Sequence, residues 1–187
     1  MTKKNKLIHT PEGVRDIYNG ECRRKLAVQE KILHTLKEKG VDFEEYHHEA
    51  LDNVLQREEK DLCFDAKICK NLFVTTRKRD RVFLVMVEAH KKADLHRLAQ
   101  ALGTTHLGFA PQELLAERLG QKPGAVGPLG ILHDRQGTVE VVFDESLRQA
   151  SRVAMHPSVN TATVVLPFEQ LEGLIRKNGN LIYFMNF

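Results

Sequence analysis

The sequence predicts an α+β fold: a mixed, largely antiparallel curled sheet or barrel with short helices around it. Three observations lead there. Short runs rich in Val, Phe and Leu recur in pairs around turn-like tips. The helical stretches between them are brief and unevenly placed, and the regular strand–helix alternation of a doubly wound sheet is missing. The 187 residues, 42% hydrophobic and 28% charged, suit one domain with its own core.

Taken in order, residues 1–20 hold few periodic apolar positions and are punctuated by Pro11, Gly13 and Gly20, which predicts an extended arm; residues 21–187 form the domain proper. From Glu21 to Lys39 the residues Leu26, Ile32, Leu33 and Leu36 recur at helical spacing, with Gly40 where a helix ends. Val41-Asp42-Phe43 alternates as a short strand leading into Tyr46-His47-His48-Glu49, and a weakly patterned helix follows at about 51–60. Asn71–Thr76 and Arg81–Glu88 read as strands of a hairpin whose tip is the basic run between them. Asp94–Leu102 is a predicted helix with Asp94 as N-cap, and Pro111–Leu119 another with Pro at its first position. A Gly/Pro-rich loop, Lys122–Gly130, precedes a second predicted hairpin made of Leu129–His133 and Thr138–Phe143. Strands at Arg152–Met155 and Thr161–Leu166, a helix at Phe168–Lys177 and a strand at Leu181–Met185 complete the chain.

Composition excludes several classes. The longest strongly apolar run, Val82–Val87, is far short of the ~20 residues that span a bilayer, and the basic start lacks the apolar stretch of a signal peptide. Cys22, Cys63 and Cys69 are odd in number with no CxxC spacing, so neither a disulfide framework nor a Cys-based zinc site is suggested. The expectation is a soluble, cytoplasmic protein with no membrane contact. The net charge is +3 overall, yet residues 70–97 carry eight Lys or Arg against three acids, a local +5. Arg77, Lys78, Arg79 and Arg81 are its densest point, either a solvated hairpin tip or a footprint for a phosphate backbone.

Standard catalytic signatures are absent: no GxSxG, no HExxH, no Gly-rich phosphate loop. The nine His are scattered, and the adjacent His47 and His48 point apart on a strand, so no metal is implied. Three local features remain. Lys70-Asn71 opens an apolar strand, where a Lys either snorkels outward or serves a pocket. The loop Pro123-Gly124-Ala125-Val126-Gly127-Pro128 combines glycines that let backbone approach a ligand with prolines that hold one shape. His156-Pro157-Ser158-Val159-Asn160-Thr161-Ala162-Thr163 is a dense polar cluster between two strands, suited to a ligand or to capping a turn.

Together, in this order, the three features resemble the YbaK/ProX family of prolyl-tRNA editing deacylases, over about residues 26–187. Lys70-Asn71-Leu72-Phe73 resembles the family's Lys-bearing strand, Gly124 to Pro128 its GxxxP loop, and His156 to Thr163 its HPxxNxAT motif. Residues 8–24, with Pro11-Glu12-Gly13-Val14-Arg15-Asp16, resemble instead the N-terminus of histidyl-tRNA synthetase.

The resemblance implies hydrolysis of the ester between a wrong amino acid and the terminal adenosine of tRNA(Pro), without metal or cofactor. Lys followed by Asn, and the intact HPxxNxAT cluster, resemble the alanyl-tRNA(Pro) branch, in which the chain is also similar to a clostridial relative from proline-reductase gene clusters. A cysteinyl-tRNA(Pro) deacylase, or a non-catalytic tRNA-binding module of the same fold, are the alternatives; a hydrolase of small acyl esters is a weaker one. On this reading Lys70 and Asn71 are catalytic, and Gly124, Ala125, Val126, Gly127, Pro128, His156 and Asn160 bind the aminoacyl end. Arg77, Lys78, Arg79 and Arg81 contact tRNA, and a hydroxyl of the terminal ribose assists the attacking water. The partners implied are the tRNA(Pro) acceptor end and prolyl-tRNA synthetase.

Overall fold

The computed structural model describes residues 20–50 and 64–187; residues 1–19 of the arm expected at 1–20, and the helix expected at 51–60, lie outside the described residues. Helix α1 spans Gly20–Glu38. Strand β1 is Glu44–His47, three residues later than the alternation at Val41 suggested. Val41–Phe43 instead form an irregular link whose Asp42 N–H donates to Gln170 Oε1 at 2.7 Å. Strands β2, Lys67–Thr76, and β3, Val82–Glu88, make the first hairpin. Strand β2 starts before Asn71 because Lys67 and Ile68 pair in parallel with Val153 and Ala154.

Helix α2, Leu95–Ala101, is capped as expected by the Asp94 carboxylate, which accepts from the His96 and Arg97 N–H groups. A three-residue strand, β4 (Leu107–Phe109), was not expected; it pairs with the end of β2. Helix α3 is Gln112–Leu119, with Pro111 just outside it as N-cap. Leu129–His133 is not a strand. Pro128–His133 is a 3₁₀ helix with Pro128 at its start, since a short buried apolar run fits either state and the fixed φ of proline decides for the tight helix. Strand β5, Val139–Asp144, therefore has no hairpin partner; it runs parallel to β3. After a 3₁₀ turn at Glu145–Gln149 come β6 (Arg152–Met155), β7 (Ala162–Pro167), helix α4 (Phe168–Lys177) and β8 (Ile182–Met185).

The eight strands form one open mixed sheet in the order β1-β7-β6-β2-β3-β5-β8, with β4 beside β2. Pairings β1–β7, β6–β7, β2–β3 and β2–β4 are antiparallel, while β2–β6, β3–β5 and β5–β8 are parallel. Strand β3 is buried on both faces, which explains its unbroken apolar run. Leu84 and Met86 join Phe143, Met155, Leu166 and Leu171 on one side; Phe83, Val85 and Val87 join Val74, Leu98 and Val142 on the other. Each such side chain contributes roughly 1.5–3 kcal/mol on burial. Helix α4 closes the first layer with Phe168, Leu171, Leu174 and Ile175, and the Phe168 ring meets Phe143 edge-on at 5.0 Å. Among the described residues, no helix is long and apolar enough to cross a membrane.

Candidate functional site

The site grows from an interruption in the sheet. On one edge, β2 pairs with β3 continuously from Cys69 to Thr75. On its other edge β6 takes only Lys67 and Ile68, and β4 only Val74 to Thr76. The interval holds Lys70 and Asn71. Here β6 ends at Met155 and the chain continues into His156, opposite the loop around Gly127. A Cβ placed on Gly127 would lie 3.1 Å from the His156 carbonyl oxygen and 4.0 Å from Asn71 Nδ2. Strand β2, the GxxxP-like loop and the His156 turn thus converge on one backbone position with no side chain.

The loop is rigid for readable reasons. Its first half is a turn closed by the Ala125 N–H to the Lys122 carbonyl at 3.1 Å. Pro123 and Gly124 are its central residues, with Gly124 at φ +80°, the pairing that a type II turn requires. Its second half runs through Gly127 into the 3₁₀ helix begun by Pro128. Val126 packs at the border of the main core and Ala125 is nearly buried. Behind Gly127 sits Gln121, 1% exposed and bonded to the Gly127 N–H, the Gly127 carbonyl and Ser158. Sequence reading passed over Gln121, because a lone Gln beside a helix end carries no pattern.

Asn71 extends to the face of β2 that also carries Cys69 and Phe73. Its Oδ1 is buried without a hydrogen-bond partner, an arrangement rare enough in folded proteins to call for a ligand or another explanation. His156 Nδ1 lies 2.8 Å from the Ala162 carbonyl. A carbonyl only accepts, so Nδ1 carries a proton and Nε2 is the basic nitrogen of the neutral ring. The His48 ring is 6.1 Å away. By the same reasoning its Nδ1–H donates to the Glu49 carbonyl, and its Nε2 accepts from the buried Thr163 hydroxyl at 2.9 Å. His47 points elsewhere, to Glu45. The two histidines do point apart, and the inward one belongs to the site.

Lys70 does not join Asn71. Strand alternation sends it to the opposite face, with Leu72 and Val74. There its ammonium donates to the Ala89 carbonyl at 3.3 Å and to the Lys91 carbonyl. That connection is anchored in turn: Lys91 Nζ meets the fully buried Asp144 at 2.7 Å, and Asp144 also accepts from the Ser146 and Glu88 N–H groups. Burial pushes the Asp144 carboxyl up, but the Lys91 ammonium and the backbone donors outweigh it and hold it below the usual range.

Gly124, Ala125 and Asn160 line a groove of about 790 Å³, shared with Ala27, Val28 and Lys31 of α1 and with Lys122. It adjoins the Gly127 position but does not include Asn71 or His156. The predicted tRNA-contacting residues divide. Arg77, Lys78 and Arg79 are exposed at the hairpin tip, with Arg79 in the left-handed region at φ 58°. Arg81 is committed inward. It forks onto Glu140 at 2.7 and 2.6 Å, donates to the Leu102 carbonyl at 2.9 Å, and lies over Phe83. Tyr183 donates to the same Glu140. Burial raises Glu140, while Arg81 and Tyr183 more than offset this and hold it below the ordinary carboxylate range. Among the described residues no group of three or more His, Cys, Asp or Glu is placed to hold a metal ion.

A sheet interrupted at β2, with a tight Gly/Pro loop and a His-Pro turn filling the gap, defines a class. The model of the aminoacyl-tRNA editing domain matches residues 48–174, a span that includes Lys70, Asn71, the Gly124–Pro128 loop and His156, and the chain belongs to that family. It is 36% identical over 152 residues to the prolyl-tRNA editing protein ProX of Acetoanaerobium sticklandii, covering 81% of this chain and 93% of that protein. A prolyl-tRNA synthetase associated domain-containing protein 1 of Danio rerio is 36% identical over 99 residues, 52% of this chain and 53% of the relative. A crystal structure of a candidate trans-editing enzyme for prolyl tRNA synthetase shares the fold, with a TM-score of 0.66 at 18% identity over 86% of this chain and 97% of that one.

Proposed function

We propose that this chain is an editing deacylase acting in trans, which hydrolyses the ester joining a wrong amino acid, alanine foremost, to the terminal adenosine of tRNA(Pro). The observation that carries this reading is the buried, unpartnered Oδ1 of Asn71, a side chain whose amide nitrogen borders the Gly127 position, where the His156 carbonyl also converges. Carbonyl acceptors in a tight apolar corner suit the α-ammonium of an aminoacyl group, whose three N–H donors would satisfy them. With no side chain at Gly127, the acyl group can approach the loop backbone closely, and on this reading the fixed loop from Gly124 to Pro128 admits a small side chain and excludes a proline ring.

An aminoacyl ester is already activated, so holding it and polarising its carbonyl suffice. The oxygen of a water, assisted by the neighbouring ribose hydroxyl, adds to the ester carbon. The carbonyl oxygen takes up negative charge, the bond to the ribose oxygen breaks, and that oxygen leaves with a proton. Asn71 orients the amine. Lys70 immediately precedes it along the open edge of β2, so a ligand lying across that edge meets residues of both faces. Its ammonium would leave the Ala89 and Lys91 carbonyls to offset charge on the oxyanion or the terminal nucleotide. His156, with Nε2 basic, lines the acyl pocket, and Asn160 faces the groove in which the adenosine would lie.

Arg77, Lys78 and Arg79 sit seven or more residues beyond Lys70 on β2, roughly 23 Å at strand rise, a distance suited to the acceptor backbone and not to the ester. The partners on this reading are the acceptor end of tRNA(Pro) and prolyl-tRNA synthetase, in the cytoplasm. Incubation with alanyl-, cysteinyl- and prolyl-tRNA(Pro) tests it: loss of the alanyl ester with prolyl-tRNA spared is the expected result. Preferential loss of the cysteinyl ester would reassign the substrate, and tRNA binding without hydrolysis would make the chain a binding module. The anchoring of Lys70 away from Asn71 is what keeps that second reading in play.

A further inference from the structure

We infer that Gln121 is a positioning residue for this acyl pocket: its side-chain amide clips Gly127 to the Ser158 turn and thereby sets the pocket's width. The inference rests on the deacylase reading above. Gln121 Oε1 accepts from the Gly127 N–H at 3.1 Å, and its Nε2 donates to the Gly127 carbonyl at 3.0 Å and to Ser158 Oγ at 2.7 Å. A primary amide so placed reproduces both bonds of a β-ladder rung, and adds one to the opposite wall. Gly127 borders Asn71 and the His156 carbonyl. Ser158, two residues after His156, is held in the left-handed region at φ 61°, a conformation disfavoured outside glycine that persists only where neighbours fix it. The two walls of the pocket are thus joined through one buried side chain that touches neither the proposed ester nor its amine. Gly130 completes the device. A Cβ there would lie 2.6–2.8 Å from the Gln121 amide, so the space that a side chain at 130 would fill is taken by the clip.

Two variants and two measurements test this. Gln121→Leu keeps the bulk and removes all three bonds. Gln121→Glu keeps the acceptor for the Gly127 N–H and regains a donor only when protonated. Losing buried neutral hydrogen bonds of this kind corresponds to roughly a tenfold effect. We expect Gln121→Leu to lower kcat for alanyl-tRNA(Pro) about that much, with KM changed less than about twofold because the tRNA body is held elsewhere. For Gln121→Glu, the ratio of its kcat to that of the unaltered protein should recover between about pH 8 and about pH 5.5, where a buried glutamate regains its proton. A purely structural lesion would not recover with acid. Hydrogen exchange at the Gly127 amide, read by mass spectrometry or NMR, should quicken in Gln121→Leu whether or not the protein is a deacylase. Unchanged kcat in Gln121→Leu, or unchanged exchange at Gly127, overturns the inference. If the unaltered protein hydrolyses none of the three esters, the deacylase reading fails on that result, and the exchange measurement alone decides whether the clip exists.

Discussion

Replacing Asn71 by Leu separates what the site does from what the fold needs. Leu has nearly the same shape as Asn and removes a buried amide oxygen that has no partner. An unsatisfied buried polar group costs about 1–3 kcal/mol. Only the Oδ1 end of this amide is both buried and orphaned, so the lower half of that range applies. For a domain of this size each kcal/mol moves the midpoint by ~2–4 °C. The variant should therefore melt about 2–8 °C higher than the unaltered protein. Its activity should fall in the opposite direction. A hydrogen bond to an ammonium contributes about 1.5–3 kcal/mol, or roughly 10- to 150-fold in kcat/KM for alanyl-tRNA(Pro). Differential scanning calorimetry and single-turnover deacylation are the two assays. A lower melting temperature would mean that Asn71 has a structural partner after all, and retained activity would mean that the amine is held elsewhere; either result refutes the reasoning.

Five further outcomes follow from the same contacts. Gly127→Ala brings a methyl to 3.1 Å from the His156 carbonyl oxygen; its φ of −165° suits any residue, so the fold should survive while alanyl-ester kcat/KM drops about 10- to 200-fold, the range for one misplaced methylene. Lys70→Ala should abolish deacylation and leave the melting midpoint within a few degrees; full activity would reduce Lys70 to a tether for the Ala89 and Lys91 carbonyls. Reversing charge at Arg77, Lys78 and Arg79 should weaken tRNA binding and flatten its salt dependence without moving the midpoint. Arg81→Ala should instead destabilise by about 1–2 kcal/mol, discounted because solvent reaches part of its pair with Glu140; equal behaviour of the two variants in urea melts would erase the distinction. Asp144 and Glu140 are both held below their ordinary range. Their contribution is therefore complete above the unfolded carboxylate values and is lost as pH falls through the lowered folded ones. Urea midpoints measured from neutral to acidic pH should decline, and Glu140→Gln should shallow that decline.

Where packing and local pattern agreed, the sequence was legible. Helix α4 runs as expected over Phe168–Lys177 because Phe168, Leu171, Leu174 and Ile175 fall on one helical face and all are buried. Strand β6 and the Asp94 cap were legible for similar reasons. Leu129–His133 misled because three apolar side chains, Leu129, Ile131 and Leu132, carry no decisive period, and the preceding Pro128 outweighed their β propensity. Strand β4 was invisible, being three residues with a central glycine that exist as a strand only because β2 is there to pair with. In the candidate site, the family resemblance pointed to Asn71, Gly127 and His156, which the structure brings next to one another. Strand alternation already separates Lys70 from Asn71, but the sequence could not show that the Lys70 ammonium is tethered to the Ala89 and Lys91 carbonyls. Nor could it tell a paired Arg81 from the exposed Arg77, since both read as the same basic run. Gln121 was the least accessible, because its meaning lies in three partners, one of them 37 residues away.

The register of β1 has a consequence for how the chain is made. Glu44 pairs with Val165 and His47 with Ala162, so β1 must wait for about 120 further residues before its partner exists. At ~5–20 residues per second of synthesis that wait is roughly 6–24 s, while the β2–β3 hairpin can close almost as soon as it emerges. Glu44-Glu45-Tyr46-His47 is suited to the delay: two carboxylates and a histidine make a strand that stays hydrated and resists pairing with a neighbouring nascent chain. The polar composition that made β1 hard to recognise as a strand is what lets it wait unpaired.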